Sequence, residues 1–325
     1  MPSILSLEHL NPARFETAPI LKKLASASRQ LAELKGVAAS IPNQGIFINT
    51  LGLQEAKDSS AIENIVTTHD ELFRDDLQTQ VPGNAAAKEV LEENRAGFRK
   101  LPGTALKDGG GKTVYTPPQN SGEVLRLMGE LERFINGDAV FDADPLIKMS
   151  LIHHQFESIH PFYDGNGRTG RIVNVLYLVK ERLLDIPVLY LSSHIVRTKG
   201  DYYRLLQTVR DQDAWEDWVV YMLEAVERTA AQTIDTIHSI KAALFDYKHR
   251  IRAARRFYSQ DLINNLFTHP YTKIEFIERD LKVSRLTATK YLEALTADGF
   301  LLKRKIGRSN FYINIALNAV LISQW

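Results

Sequence analysis

The chain has 325 residues, 40 Lys and Arg against 39 Asp and Glu, no cysteine and 44% hydrophobic residues. That is enough apolar material for two cores, or three if a helical N-terminal piece packs separately. The lack of cysteine excludes disulfides, thiol nucleophiles and thiolate metal sites, and fits a cytoplasmic protein.

The near-neutral total conceals an asymmetry. Residues 248–313 carry 14 Lys and Arg against 6 Asp and Glu, a surplus of eight, so residues 1–247 carry a net −7. A basic C-terminal region on an acidic body predicts units with different partners. The first ten residues lack a basic segment followed by an apolar one, so no secretory signal is predicted. No uncharged apolar run is long enough to span a bilayer, and no membrane partner is expected.

In chain order, amphipathic spacing predicts helices over Ala18–Lys35, Gly122–Asn136, Asp144–Ser158 and Trp215–Tyr247. Breaks fall at Pro82-Gly83, Pro102-Gly103, Pro117-Pro118 and Gly137-Asp138. Within the N-terminal helical region, Ser59 and Glu63 stand four apart and share a helix face, with Asn64 next. Taken alone, that pattern is what a solvated face shows. Further on, Gly109-Gly110-Gly111-Lys112-Thr113 superficially matches a phosphate loop, but the position five residues before Gly111 is Leu106 and not glycine. Asp108-Gly109 followed by Thr113-Val114-Tyr115 predicts a hairpin tip and a short strand instead.

The twelve residues from His160 to Arg171 read His-Pro-Phe-Tyr-Asp-Gly-Asn-Gly-Arg-Thr-Gly-Arg. Gly165 and Gly167, with Asn166 between them, let successive backbone N–H groups turn toward one point and form an anion-binding nest. A buried helix predicted over Thr169–Glu181 aims its positive end at the same point. Arg168 and Arg171 are three apart, so they share a helix face and can both grip a polyphosphate. Asp164 is a hard oxygen ligand suited to magnesium, and His160 is free to act as a base. A rival reading, metal binding through His153, His154, Glu157 and His160, has helical spacing but lacks the HExxH order.

In the basic region, helices are predicted over Ser259–Phe267, Lys273–Leu281 and Arg285–Asp298, the last ended by Gly299. Strands over Phe300–Lys305 and Asn310–Ile315 then flank a turn at residues 306–309. That is the outline of a winged helix-turn-helix, with Arg285, Lys303, Arg304, Lys305 and Arg308 placed for DNA phosphates. Winged helices also dock proteins, so both kinds of partner stay open.

The His160–Arg171 run fits the Fic motif, HxFx(D/E)GNGRxxR, at every specified position, and the chain resembles the Fic family. The resemblance implies a mainly α fold, with a Fic-type helical domain, a small β-hairpin flap and a winged helix-turn-helix behind it. It suggests domains over 1–80, 81–247 and 248–325. It implies AMP transfer from ATP to a Ser, Thr or Tyr hydroxyl of a target protein, with magnesium as cofactor. His160 would be the catalytic base and Asp164 the metal ligand. The nucleotide would be held by Gly165, Asn166, Gly167, Arg168, Thr169, Gly170 and Arg171, with Arg197, Tyr202 and Tyr203 near the adenine. Val114, Tyr115 and Thr116 would align the target chain by strand addition. Ser59, Glu63 and Asn64 match the family's inhibitory (S/T)xxxE(G/N) segment, in which Glu63 would pair with Arg171 and misplace ATP. Many family members have a further helix where this chain passes quickly from Asn84 to Phe98. A nucleotide-sensing transcription regulator, a Fic enzyme of altered chemistry such as de-AMPylation, and a homodimer remain open.

Overall fold

A computed structural model describes residues 7–41, 44–62, 94–137, 141–268, 270–306 and 309–322, and its architecture is mostly helical. Helices α1 (Ala18–Ala39) and α2 (Gln44–Ile62) are followed by a hairpin of β1 (Leu106–Lys107) and β2 (Thr113–Tyr115). Next come α3 (Ser121–Asn136), α4 (Pro145–Ile159), α5 (Asn166–Lys180), α6 (Ser192–Arg197), α7 (Lys199–Gln212) and α8 (Trp215–Ala254). The C-terminal unit contains α9 (Gln260–Thr268), β3 (Tyr271–Thr272), α10 (Ile274–Leu281), α11 (Arg285–Ala297), β4 (Leu301–Ile306), β5 (Ser309–Asn314) and α12 (Ile315–Ile322).

Helix α4 is the hub. Asp144 caps it by accepting from Leu146 N at 2.8 Å, and Pro145 sits at the first helical position, where its missing N–H costs nothing. Residues 146–159 are all buried, with α3, α5 and α8 packed around them. A helix buried on every side must satisfy its polar groups internally. His153 Nε2 therefore meets the Tyr202 hydroxyl at 3.0 Å, His154 Nε2 meets Leu206 O at 3.2 Å, and Trp218 donates to Ser150 O at 2.9 Å. Burial holds both histidines neutral, with pKa values down at about 3. Where α5 crosses α4, Gly170 permits the approach: a Cβ there would meet Glu157 Oε1 at 2.9 Å and the Phe156 ring at 3.1 Å.

Ile20, Ala27, Leu31, Leu34 and Ala38 recur at helical spacing on α1 and pack along α8, with Lys23 paired to Glu227 at 2.9 Å. The sequence predicts that α8 ends at Tyr247, but it continues unbroken to Ala254. The change at that point is in charge and not in helix propensity, and the extra turns bury Ile251. Tyr247 then anchors the C-terminal unit, donating to Phe300 O at 2.7 Å and accepting from Ala316 N at 3.1 Å. In that unit the strands form an antiparallel sheet in the order β3-β5-β4, Leu302 pairing with Ile313 and Arg304 with Phe311. Helix α9 of the same unit packs against α2, which also lies against α6 and touches α5.

Candidate active site

The last turn of α4 places the candidate base. His160 is its C-cap, in a left-handed conformation at φ 50°, with its N–H bonded to Phe156 O. A non-glycine residue there carries strain of order 1–3 kcal/mol and needs surrounding structure to hold it. Arg99 supplies part of that hold, donating to His160 O at 2.8 Å and to Ile159 O at 3.3 Å, and also to Pro118 O. Burial, with the charges of Arg210 and Arg99 adding to it, keeps the His160 pKa down at about 4. The imidazole is neutral at physiological pH, which is the state a base requires.

The loop beyond His160 turns the chain into α5. The sequence predicts this helix from Thr169, but it starts three residues earlier, at Asn166. Gly165 adopts the left-handed region at φ 70° as N-cap, which lets Asn166 enter the helix directly. Asn166 staples the turn, accepting from Phe162 N at 2.8 Å and donating to Phe162 O at 2.9 Å. Gly167 consequently lies in the first turn, where backbone N–H groups have no helical acceptor. Asp164 Oδ1 accepts from Gly165 N at 2.8 Å, which fixes the carboxylate at the mouth of the turn.

His160, Asp164, Gly165, Asn166, Gly167 and Arg171 line one cleft of about 840 Å³. Leu106, Lys107 and Val114 of the hairpin line it from another side, with Tyr202 and Tyr203 of α7 nearby. Tyr202 is also buried, edge-on to Tyr203 and in contact with Trp218, so it packs in the core as well as lining the cleft. Thr116 lies just past β2.

Other expected nucleotide contacts lie off the cleft lining. Arg168 is buried at 2% exposure, Thr169 spends its hydroxyl on Gly165 O at 2.8 Å, and Gly170 packs against α4. Arg197 is exposed at the end of α6, where its charge acts on Asp58 of α2. Arg168 and Arg171 share a helix face in sequence, but a helix packed on several sides offers the cleft only one of them.

Arg171, itself 2% exposed, reaches α2: its guanidinium donates to Ser59 Oγ at 2.5 Å and lies 3.9 Å from Glu55 Oε1. Glu63 and Asn64, and the Asn84–Phe98 passage up to residue 93, lie outside the described residues. Glu55 was not foreseen. It is one helical turn before Ser59 and so on the same face, a signal present in the spacing but without meaning until Arg171 is known to lie opposite. Ser192 also donates to Glu55, and burial raises the Glu55 pKa to about 7 against the pull of Arg171.

In the C-terminal unit, Arg285 pairs with Glu275 at 3.2 Å and Glu278 at 3.6 Å, and Lys303 with Glu293 at 2.5 Å. Arg304 and Lys305 are exposed on β4, and Arg308 lies outside the described residues.

Three family profiles match the chain: Fic/DOC family N-terminal over residues 21–98, Fic/DOC family over 61–178, and Protein adenylyltransferase SoFic-like, C-terminal domain, over 245–317. The chain belongs to the Fic/DOC family. Protein adenylyltransferase Fic of Culex quinquefasciatus is 30% identical over 112 residues, 34% of this chain and 21% of that protein. Its Drosophila erecta counterpart is 27% identical over 112 residues, with the same coverage. The chain thus spans about a fifth of the length of these relatives. The crystal structure of a Fic family protein from Desulfovibrio desulfuricans G20 matches 94% of this chain and 99% of that chain, with TM-score 0.56 at 18% identity, which shows a shared Fic fold.

Among the described residues, no group of three or more His, Asp or Glu converges as a metal cage. The lone, oriented Asp164 carboxylate does fit a magnesium ion that arrives on a polyphosphate, because that ion takes most of its ligands from phosphate and water. No helix among the described residues is long and apolar enough to cross a membrane.

Proposed function

We propose that the chain is a protein adenylyltransferase that moves AMP from ATP to a Ser, Thr or Tyr hydroxyl of a target protein. The observation that carries this reading is the meeting of His160, the 165–167 turn and Arg171 in one cleft beside the hairpin. The neutral imidazole of His160 accepts the proton of the incoming hydroxyl, whose oxygen forms a bond to the α-phosphorus. The bond from that phosphorus to the bridging oxygen breaks, and pyrophosphate leaves. The N–H groups at the start of α5 stabilise the charge that develops on the phosphoryl oxygens. Asp164 would hold magnesium, which when bound offsets phosphate charge. Tyr203, half exposed, would flank the adenine, and β2 would receive the target as an added strand.

Helix α2 acts as a brake in this reading. Ser59 grips Arg171, and Glu63, four residues later in the sequence, would complete the (S/T)xxxE(G/N) segment and keep that arginine from the γ-phosphate. The C-terminal winged helix would bind DNA through Arg304, Lys305 and the wing.

The deciding experiment incubates the full chain and a lysate with ATP labelled at either the α- or the γ-phosphate. Label retained on protein only from the α position is the expected result. Retention from the γ position would mean phosphate transfer, and retention from neither would refute the proposal.

A further inference from the structure

The carbonyls at the end of α4 have no helical N–H partners of their own, and the residues that take them come from three separate parts of the chain. Arg99 takes Ile159 O and His160 O. The Tyr115 hydroxyl, from flap strand β2, donates to Ser158 O at 2.9 Å. Arg210, from the last turn of α7, donates to Glu157 O at 3.3 Å and to Ser158 Oγ at 3.0 Å. The Arg210 guanidinium also lies 3.9 Å from the centroid of the Tyr115 ring, a cation–π contact at stacking distance. Flap, α7 and the turn that ends in His160 therefore meet at one guanidinium on the cleft wall.

We propose that Arg210 is a positioning residue that sets the register of the flap strand against His160, so that a hydroxyl on a chain added along β2 arrives at the base. Side chains alternate along a strand: Val114 turns to the cleft, and Tyr115 turns under it onto Arg210. The backbone edge of β2 is then fixed relative to the end of α4 by a planar group that binds both. A guanidinium suits this role and an ammonium does not, because only the former stacks on a ring while directing donors sideways in its plane. The inference rests on the proposed transfer, since the geometry of the acceptor hydroxyl matters only if one is attacked.

The test uses the full chain with Arg210→Gln, Arg210→Lys, Tyr115→Leu and the Arg210→Gln/Tyr115→Leu double variant. Self-labelling from α-labelled ATP is measured beside the Kd for α,β-methylene ATP, the melting temperature and hydrogen exchange of the residue 104–116 amides. Misplacement of a reacting group by about 1 Å can cost about a hundredfold in rate. Arg210→Gln and Arg210→Lys are both expected to lower the labelling rate at least about tenfold, with nucleotide Kd within about twofold of the parent. Flap amides should exchange faster in both. Tyr115→Leu should add little to Arg210→Gln, because the pair acts as one unit. Parent-like labelling by Arg210→Gln would overturn the inference. Full rescue by lysine, additive losses in the double variant, or a loss of labelling that tracks weakened nucleotide binding and a lowered melting temperature would do so as well. If the parent transfers no label at all, the proposed function fails, while flap exchange in Arg210→Gln still reports whether Arg210 holds β2.

Discussion

Arg171 donates to the Ser59 hydroxyl at 2.5 Å, joining the end of the Fic motif to a helix 112 residues earlier in the chain. Both residues are buried, so the bond forms where water does not compete and where an unpaired guanidinium would be costly. In the proposed reaction, ATP would have to replace this partner to reach Arg171.

Removing the hydroxyl with Ser59→Ala should therefore raise self-labelling from α-labelled ATP. A hydrogen bond to a charged group contributes about 1.5–3 kcal/mol, and each ~1.4 kcal/mol of released bias corresponds to about tenfold more competent enzyme. Glu63→Gln, which keeps helix propensity, should act in the same direction. Parent, Ser59→Ala and Glu63→Gln labelling equally at saturating ATP would show that α2 is no brake.

His160→Ala should lower transfer by about two to four orders of magnitude while nucleotide binding and melting temperature stay close to the parent. The imidazole itself can be followed by NMR in the nucleotide-free protein. Its pKa of about 4 lies below the ordinary 6.5, so the ring should stay neutral on acidification to about pH 5 and protonate only below that. A ring titrating near 6.5 would show that burial and the two arginines do not control it.

Glu55 gives a stability prediction with a definite sign. Its folded pKa of about 7 exceeds the unfolded 4.5, so the folded state binds more protons between those values and the group's ionisation progressively destabilises the fold as pH rises through that window. Glu55→Gln removes the penalty. The variant should match the parent near pH 4.5 and exceed it above pH 7, by an amount on the order of 3 kcal/mol at most. Denaturant melts at the two pH values measure this, and an advantage that does not grow with pH would contradict the assignment.

If the C-terminal unit binds DNA as proposed, replacing Lys303, Arg304 and Lys305 together with alanine should weaken that binding and flatten its salt dependence. Three cations that each met a phosphate would account for about three contacts. Lys303 is tied to Glu293, so the slope should fall by less than that. Titration of a fluorescent duplex at several salt concentrations tests this, and an unchanged slope, or no binding by the parent, would indicate a protein partner.

The sequence by itself determined the Fic motif, the hairpin, the helical class and the order of helices and strands in the C-terminal unit, because each rests on local rules. Gly165 and Gly167 bend the chain wherever they stand, and Asp108-Gly109 turns before a β-branched strand regardless of context. It also places Ser59 one helical turn after Glu55 on the same face of α2. Tertiary structure alone decided what those faces meet. Arg168 and Arg171 are equivalent by spacing, but packing of α5 sends Arg171 to the cleft and to Ser59 while Arg168 is buried elsewhere. Glu55, Arg99 and Arg210 carry no motif, and each is defined by partners that are distant in sequence: Arg171 for the first, and the end of α4 for the other two. Helix periodicity reports which residues lie side by side on one element, whereas the groups that satisfy a buried helix end or a buried charge come from whichever elements the core packing brings there.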